Sequence, residues 1–395
     1  MVVVTALVIA DGFLGPPVGA MNLAGLLPWT HARGLLVIAL LAAGNLFCMA
    51  CPFTLPRELG KRLGLATRAW PARLRSKWLA ALLLAIFFWA YERFDLWDRP
   101  SATAWILVGY FVASFGVDAF FRGASFCKYV CPIGQFQFVG SLVSPLEVRV
   151  RRPEACARCT THDCLRGNVS HRGCELDLSL PQKAGNLDCT FCLDCVKACP
   201  HDNIGILPVA MGRELVRDAP RSSVGRFESR WDLAVLALVF VVGAFSSAFA
   251  MIRPEASAGF VAAAAAAVLA GAALSPRRTR ARLVLALVPL GLAMSTAHFL
   301  FHMLSGWGAV WPSLQQALHL GTPAWAVAGS SLSGPALLQL QVALLDGGLL
   351  LTLYAARRVA RSRRGMLPGA AVSFALWAAG VWILLQPMPM RLMAH

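Results

Sequence analysis

Charge is scarce in this chain. Only 14% of its 395 residues are Asp, Glu, Lys or Arg, where a soluble protein carries about 25%. Hydrophobic residues make up 57%, and the mean hydropathy is +0.62. That balance excludes an ordinary soluble domain. Acidic residues are scarcer still, 20 against 36 basic ones, for a net charge of +16. Such an excess raises nucleic acid as a partner, but a basic patch with a recognition motif is missing. Residues 147–230 hold 13 Lys/Arg against 11 Asp/Glu, so the excess lies in short loops between apolar runs. No nucleic-acid partner is expected. The N-terminus lacks a basic n-region and an A-x-A site, so a cleavable signal peptide is not expected either. No nucleophile motif or organic-substrate motif is visible, which leaves chemistry beyond electron transfer without support.

The apolar residues fall into runs of span length. Nine spans are expected, at about 2–26, 34–52, 78–94, 102–122, 231–252, 257–275, 283–304, 336–356 and 366–386; Asp11, Pro16 and Pro17 interrupt the first. Loop 53–77 carries Arg57, Lys61, Arg62, Arg68, Arg73, Arg75 and Lys77, and loops 276–282 and 357–365 are also rich in arginine. Loop 305–335 has no Lys or Arg. With nine spans, every arginine-rich loop falls on one face, which is cytoplasmic by the positive-inside rule. The expected location is a bacterial inner (cytoplasmic) membrane, with the N-terminus inside and the C-terminus outside. The segment 147–230 has no span-length run and falls on the inner side. Three units result: an N-terminal membrane domain (1–146), a soluble insert (147–230) and a C-terminal membrane domain (231–395).

Twelve cysteines are present. A disulfide framework would need an oxidising context and usually a small secreted domain. Here the cysteines cluster as short repeats beside prolines, which points to metal or cluster ligation. The run "CTFCLDCVKACP" (189–200) has the spacing C-x2-C-x2-C-x3-C-P. In this bacterial ferredoxin spacing, three thiolates hold one [4Fe–4S] cluster and the fourth serves a second. The partners it demands lie upstream, in "CARCTTHDC" and "HRGC". Crossover then gives Cys156, Cys159, Cys164 and Cys199 to one cluster, and Cys174, Cys189, Cys192 and Cys195 to the other. The competing reading is a structural zinc with four thiolates. His162 and His171 read as loop residues that tune a cluster rather than as ligands.

Two further pairs sit at expected helix ends: Cys48 and Cys51 in "FCMACPF", and Cys127 and Cys131 in "FCKYVCPIGQFQ". A proline after each pair ends or opens a helical turn. Together they could form a third iron or iron–sulfur centre. Redox-active thiols and simple packing are the alternatives.

"CMACP", "CKYVCPIGQFQ" and "CTFCLDCVKACP" on a multi-helix scaffold resemble the membrane polyferredoxin family, which includes NapH, the C-terminal half of NosR, CcoG and the FesM-type membrane iron–sulfur proteins. The resemblance covers about residues 34–205. The start, "DGFLGPP…MNLAGLLPW", is most similar to the FesM-type branch. The chain departs from the family in its first pair, CxxCP instead of CxxxCP, and in the irregular first cluster motif. The resemblance implies two cytoplasmic [4Fe–4S] clusters and electron movement between soluble donors, quinones and periplasmic acceptors.

In "AHFLFHMLSGW", His298 and His302 share one helical face near the outer end of a span. Buried ionisable groups in a membrane are functional candidates. A quinone site, a haem and another metal are the functional readings, with His319 as a partner; interfacial histidines satisfied by water or carbonyls are the plain one. A haem needs axial ligands from opposite sides of the iron, so a pair on one helix could give one ligand to each of two haems. Asp11, Gln339, Gln341 and Asp346 read as either a proton path or helix–helix hydrogen bonding. The Ala-rich run 262–267 suggests close helix packing.

The expected fold is an all-α polytopic membrane protein of about nine spans, with an inserted cytoplasmic ferredoxin-like 2[4Fe–4S] α+β domain. The expected function is iron–sulfur electron transfer between a cytoplasmic partner, such as a ferredoxin or flavoprotein, and the quinone pool or a periplasmic carrier. The rivals are an assembly factor that supplies electrons to a metalloenzyme and a redox-sensing transporter.

Overall fold

The computed structural model describes residues 1–387 apart from 65, 218, 322, 324 and 326–333. Within them, seven helices are long and apolar enough to cross a membrane. They are α2 (Leu23–Ala43), α4 (Pro100–Phe120), α5 (Trp231–Ala250), α6 (Pro254–Leu274), α7 (Arg280–Ser305), α8 (Gly334–Ala360) and α9 (Arg363–Leu385). Two shorter helices, α1 (Val2–Leu14) and α3 (Trp78–Arg93), complete the set of expected segments. The chain is a multi-pass helical membrane protein.

Seven of the nine expected spans are thus helices of crossing length, and the first and third, α1 and α3, are shorter. At 1.5 Å per residue, the 13-residue α1 reaches only about 20 Å, short of the ~30 Å hydrocarbon core. Gly15 and the two following prolines stop it. The Gly15 N–H closes on Asp11 O, and the chain restarts at Leu23. Asp11 is part of that restart: its carboxylate accepts the Leu23 N–H at 2.6 Å. Asn22 caps the new helix by accepting the Ala24 N–H, the standard remedy for an orphan donor at a helix start. The second span thus begins eleven residues earlier than expected and ends at Ala43, where Gly44 turns at φ +78°. With 16 residues, α3 reaches about 24 Å.

The helix α7 is the centre of the bundle. Every residue from Val288 to Met303 is buried, against α8, α5 and α2. Glycines let these helices approach. A Cβ on Gly291 would lie 2.9 Å from Val241, one on Gly348 2.4 Å from Ala293, and one on Gly380 2.8 Å from Leu345. The alanine run 262–267 does not do this. Only Ala264 in it is buried, and its neighbours face outward as lipid-facing residues do.

The insert carries a two-stranded antiparallel sheet, β1 (Leu146–Val150) and β2 (Ile204–Pro208), with Leu146 opposite Pro208 and Val150 opposite Ile204. This ladder brings the two ends of the cysteine-rich stretch together. Between the strands lie loops and short helices, among them Pro153–Ala157, Asp163–Arg166 and Asp194–Ala198.

A buried connecting helix, Pro132–Gly140, joins α4 to the insert. It packs against α2, α3, α5 and α7. The apolar pattern of the sequence assigns it to no span, since it is only nine residues long.

Candidate functional site

The loops of the insert are wound tightly around its cysteines. His162, Phe191 and Leu193 adopt positive φ of 54°, 56° and 63°, a region costly for residues other than glycine. The reversals turn backbone N–H groups toward sulfur. The backbone N–H of Asp194 lies by Cys192, those of Leu178 and Leu176 by Cys174, and those of His162 and Thr161 by Cys159, and each acts to lower the thiol's pKa. Amide donors of this kind stabilise thiolate charge.

Electrostatic neighbours sort the insert thiols into two groups. Burial, followed by Cys199, Cys156, Cys159 and then Cys174, pushes the Cys164 thiol up to about 11. Burial, followed by Cys189, Cys174 and Cys192, raises Cys195. The two groups meet where the Cys174 N–H donates to Cys164 O at 3.0 Å. Asn203, 1% exposed, ties the first group together. Its side-chain amide reaches Cys156 Sγ at 3.4 Å and its backbone N–H reaches Cys199 Sγ at 3.5 Å. Sequence reading missed Asn203; its only signal is its place three residues after the proline of the cysteine run.

The other four cysteines lie on separate short segments beyond the ends of α2 and α4, and not on those helices as expected. Cys48 lies in the turn Leu46–Met49, and Cys127 in the π-turn Phe126–Val130. Cys131 caps the connecting helix, accepting the Gly134 N–H at 3.2 Å. Burial, then Cys51, Cys127, Cys131 and Cys189, raises the Cys48 thiol well above its ordinary value. Both pairs, and Cys189 of the insert, thus bear electrostatically on Cys48. Burial pushes Cys51 to about 11 and Cys127 to about 12, and Arg57 opposes both shifts. Read in the sequence only as a topogenic charge, Arg57 is a cation beside this quartet.

The insert is fastened to the membrane domain around these thiols. Asn45 donates to Cys189 O at 3.0 Å. Gly44 lies so close to the Phe191 ring that a Cβ would meet it at 2.7 Å. Between Cys127 and Cys131, Lys128 reaches across to Leu176 O and Ser223 Oγ. Arg57, Lys61 and Arg172 gather on Glu175, next to Cys174. Eight thiols thus lie in the insert, and Cys48, Cys51, Cys127 and Cys131 lie on the short segments where it meets the membrane domain.

Among the described residues, no three Cys, His, Asp or Glu side chains converge closely enough to hold a single metal ion. A mononuclear thiolate site needs metal–sulfur bonds of ~2.3 Å and sulfurs about 4 Å apart; a four-iron cube spreads its ligands wider. Thiol-only donor sets, amide donors on sulfur and loops wound into left-handed conformations suit a cluster of that kind.

The histidines lie elsewhere. His298 and His302 are buried in α7, 2% and 7% exposed, with ring centroids 4.7 Å apart in an edge contact. His319 is exposed. His162 and His171 are exposed loop residues. Gln341 donates to Ala297 O at 2.6 Å and Asp346 accepts from Trp377 Nε1 at 2.7 Å. Both therefore tie helices together, while Gln339 is exposed.

The fold and the site define a helical membrane protein with a cysteine-rich insert docked against its helix ends. No family model matches the chain, and no solved structure matches it. It is 30% identical over 84 residues, 21% of its length, to the "Putative electron transport protein YccM" of Escherichia coli (strain K12). It is 23% identical over 84 residues to "Uncharacterized protein MJ0750" of Methanocaldococcus jannaschii. These matches cover 22% and 31% of the two relatives, so the chain spans less than a third of either. The first likeness supports a distant relation to electron transport.

Proposed function

We propose that this chain is a membrane-bound iron–sulfur electron-transfer protein. The observation that supports the reading is the set of twelve free thiols, eight in the insert and four where it meets the helix ends. Cys156, Cys159, Cys164 and Cys199 would hold one [4Fe–4S] cluster, and Cys174, Cys189, Cys192 and Cys195 the second. Cys48, Cys51, Cys127 and Cys131 would hold a third iron or iron–sulfur centre. Such groups, when bound, supply one-electron redox chemistry.

The residues around the thiols support this role. Buried thiolates that crowd together repel, which is why burial and neighbouring thiols push so many of these groups up. Iron takes up that charge, and metal binding to deprotonated thiols offsets the cost of burying them. Arg57 adds a cation beside the helix-end quartet. Phe191, 1% exposed, packs into the joint between insert and membrane domain and keeps water out of it.

In this reading the insert is a ferredoxin-like cytoplasmic domain, and the arginine-rich loops face the cytoplasm of a bacterial inner membrane. Electrons are exchanged there with a soluble redox protein, and on the membrane side with a quinone or an outward carrier. Iron and acid-labile sulfide on the anaerobically purified full chain test the reading. About eight of each are expected for the two insert clusters; stoichiometric zinc without sulfide would overturn it.

A further inference from the structure

A cavity of about 200 Å³ lies among α1, α2, α3, α4 and the connecting helix. An apolar cavity of about 150 Å³ holds a benzene ring, so this one has room for a substituted ring. Its walls are almost wholly apolar and aromatic. Thr5, Trp29 and Thr103 in the lining already have hydrogen-bond partners, and three further polar groups face it: Arg33, Tyr110 and Gln137. Arg33 Nη1, Tyr110 Oη and Gln137 Nε2 are each buried from solvent without a hydrogen-bond partner among the described residues. Gln137 is 2% exposed. The Arg33 guanidinium is held between two rings, 4.4 Å from the Tyr91 centroid and 4.1 Å from that of Phe299, which fixes it in place. A buried donor left unpaired is costly. Three around one apolar cavity form a site that lacks its acceptor.

One end of the cavity belongs to the helix-end cysteines. Pro52, Phe53 and Pro132, which follow Cys51 and Cys131, line it. Tyr110 lies within electrostatic reach of Cys131 and Cys51. On the α1 side the wall includes Val4 and Val8; Val4 is 46% exposed on the outside of the bundle. Because α1 stops short of a full crossing, this side offers an apolar route outward for a long tail.

We infer that this cavity binds the ring of a prenylated quinone, with Gln137, Arg33 and Tyr110 donating hydrogen bonds to its oxygens and the tail leaving past α1. The choice of a redox-active ligand rests on the electron-transfer reading above. The oxygen acceptors and the apolar body rest on the cavity alone. The structure therefore assigns the quinone to this cavity and not to His298 and His302, which do not line it.

Photolabelling of the full chain in nanodiscs tests the assignment, with an azido-substituted benzoquinone that carries a two-isoprene tail. Adducts are expected in peptides containing Phe47–Phe53 or Ile133–Gln137. Unlabelled quinone should compete them away, and oleate should not. Gln137→Leu and Arg33→Gln should each cut labelling at least tenfold. Each variant is carried forward only with a wild-type elution profile, and Gln137→Leu, which keeps size and removes the amide, serves if Arg33→Gln misfolds. Labelling that maps to the helix bearing His298, survives both variants, or yields equally to oleate would overturn the assignment; the last outcome would make the cavity a lipid site. Iron and sulfide are measured on the same samples. Iron-loaded protein that does not label defeats the quinone site alone, and labelled protein without iron defeats the electron-transfer reading alone.

Discussion

Lys77 Nζ lies 2.5 Å from Asp188 Oδ1, and both side chains are nearly inaccessible to solvent. The pair joins the residue before α3 to the residue before Cys189. The same ammonium group donates to Lys128 O at 2.6 Å and to Gln135 Oε1 at 3.1 Å. One buried cation therefore links the membrane domain, the helix-end cysteine segment and the insert. Burial depresses the Lys77 pKa, and Asp188 works against that shift.

Removing one member of a buried pair costs about 3–5 kcal/mol, because the other charge is left behind. Lys77→Met is expected to lower the melting temperature sharply and to loosen the insert, seen as faster hydrogen exchange over 186–196. Asp188→Asn keeps an acceptor for the ammonium and should cost less. Equal, small effects from both would contradict a role for the pair in docking.

Asn203 makes a sharper prediction about the first thiol group. Besides its two contacts to sulfur, it accepts the Arg152 N–H at 2.8 Å and donates to Arg152 O at 2.7 Å. Asn203→Leu strands these groups at about 1–3 kcal/mol for each buried one. It should weaken the electron paramagnetic resonance signal of one cluster, or shift its potential downward, and leave the other in place. Loss of both signals together would mean that Asn203 serves the whole insert.

Glu214 gives the insert a pH response. It is buried, accepts the Asn186 N–H at 2.8 Å, and burial raises its pKa to about 7 from 4.5. The folded insert thus holds this proton more tightly than the unfolded chain. Its contribution to stability is complete below about pH 4.5 and is lost as pH rises through about 7. The difference is on the order of 1–3 kcal/mol. Melting temperature should fall from pH 5 to pH 8, and Glu214→Gln should flatten that fall.

Membrane orientation is checked by reporter fusions. Fusions after Arg75 and Arg280 should report the cytoplasm, and fusions after Asp98 and Gly306 the periplasm. Backbone bonds between Arg68 and residues 120 and 122 place loop 53–77 level with the end of α4. Therefore α3 and α4 cross as a pair or not at all, and a cytoplasmic signal after Asp98 would show that the 16-residue α3 does not cross.

Much of this arrangement was legible in the sequence. The cysteine spacings mark out the insert, whose short CxxC loops leave the backbone few paths. Apolar runs locate every long helix, since burial in lipid leaves little freedom in composition. Helix ends were less legible. Pro28 sits in a π-helical stretch, Leu26–Ala32, through which α2 passes without breaking. Gly44 rather than the later proline ends that helix. Arg57 and Lys77 look like topogenic charges because their ion-pair partners, Glu175 and Asp188, lie far away in sequence. The cavity was invisible for the same reason: Arg33, Tyr110 and Gln137 come together only in three dimensions.

The measurement that bears most directly on the central claim is iron, acid-labile sulfide and electron paramagnetic resonance on anaerobically purified protein and three variants. Wild type should hold more than about eight iron, the excess beyond two [4Fe–4S] clusters belonging to the helix-end quartet. Cys192→Ser and Cys156→Ser should each remove one insert signal and spare much of the other. Cys48→Ser/Cys131→Ser should remove only the excess iron and leave both insert signals. Zinc without sulfide, or an iron content unchanged by all three variants, would contradict iron–sulfur centres in the insert and at the helix ends.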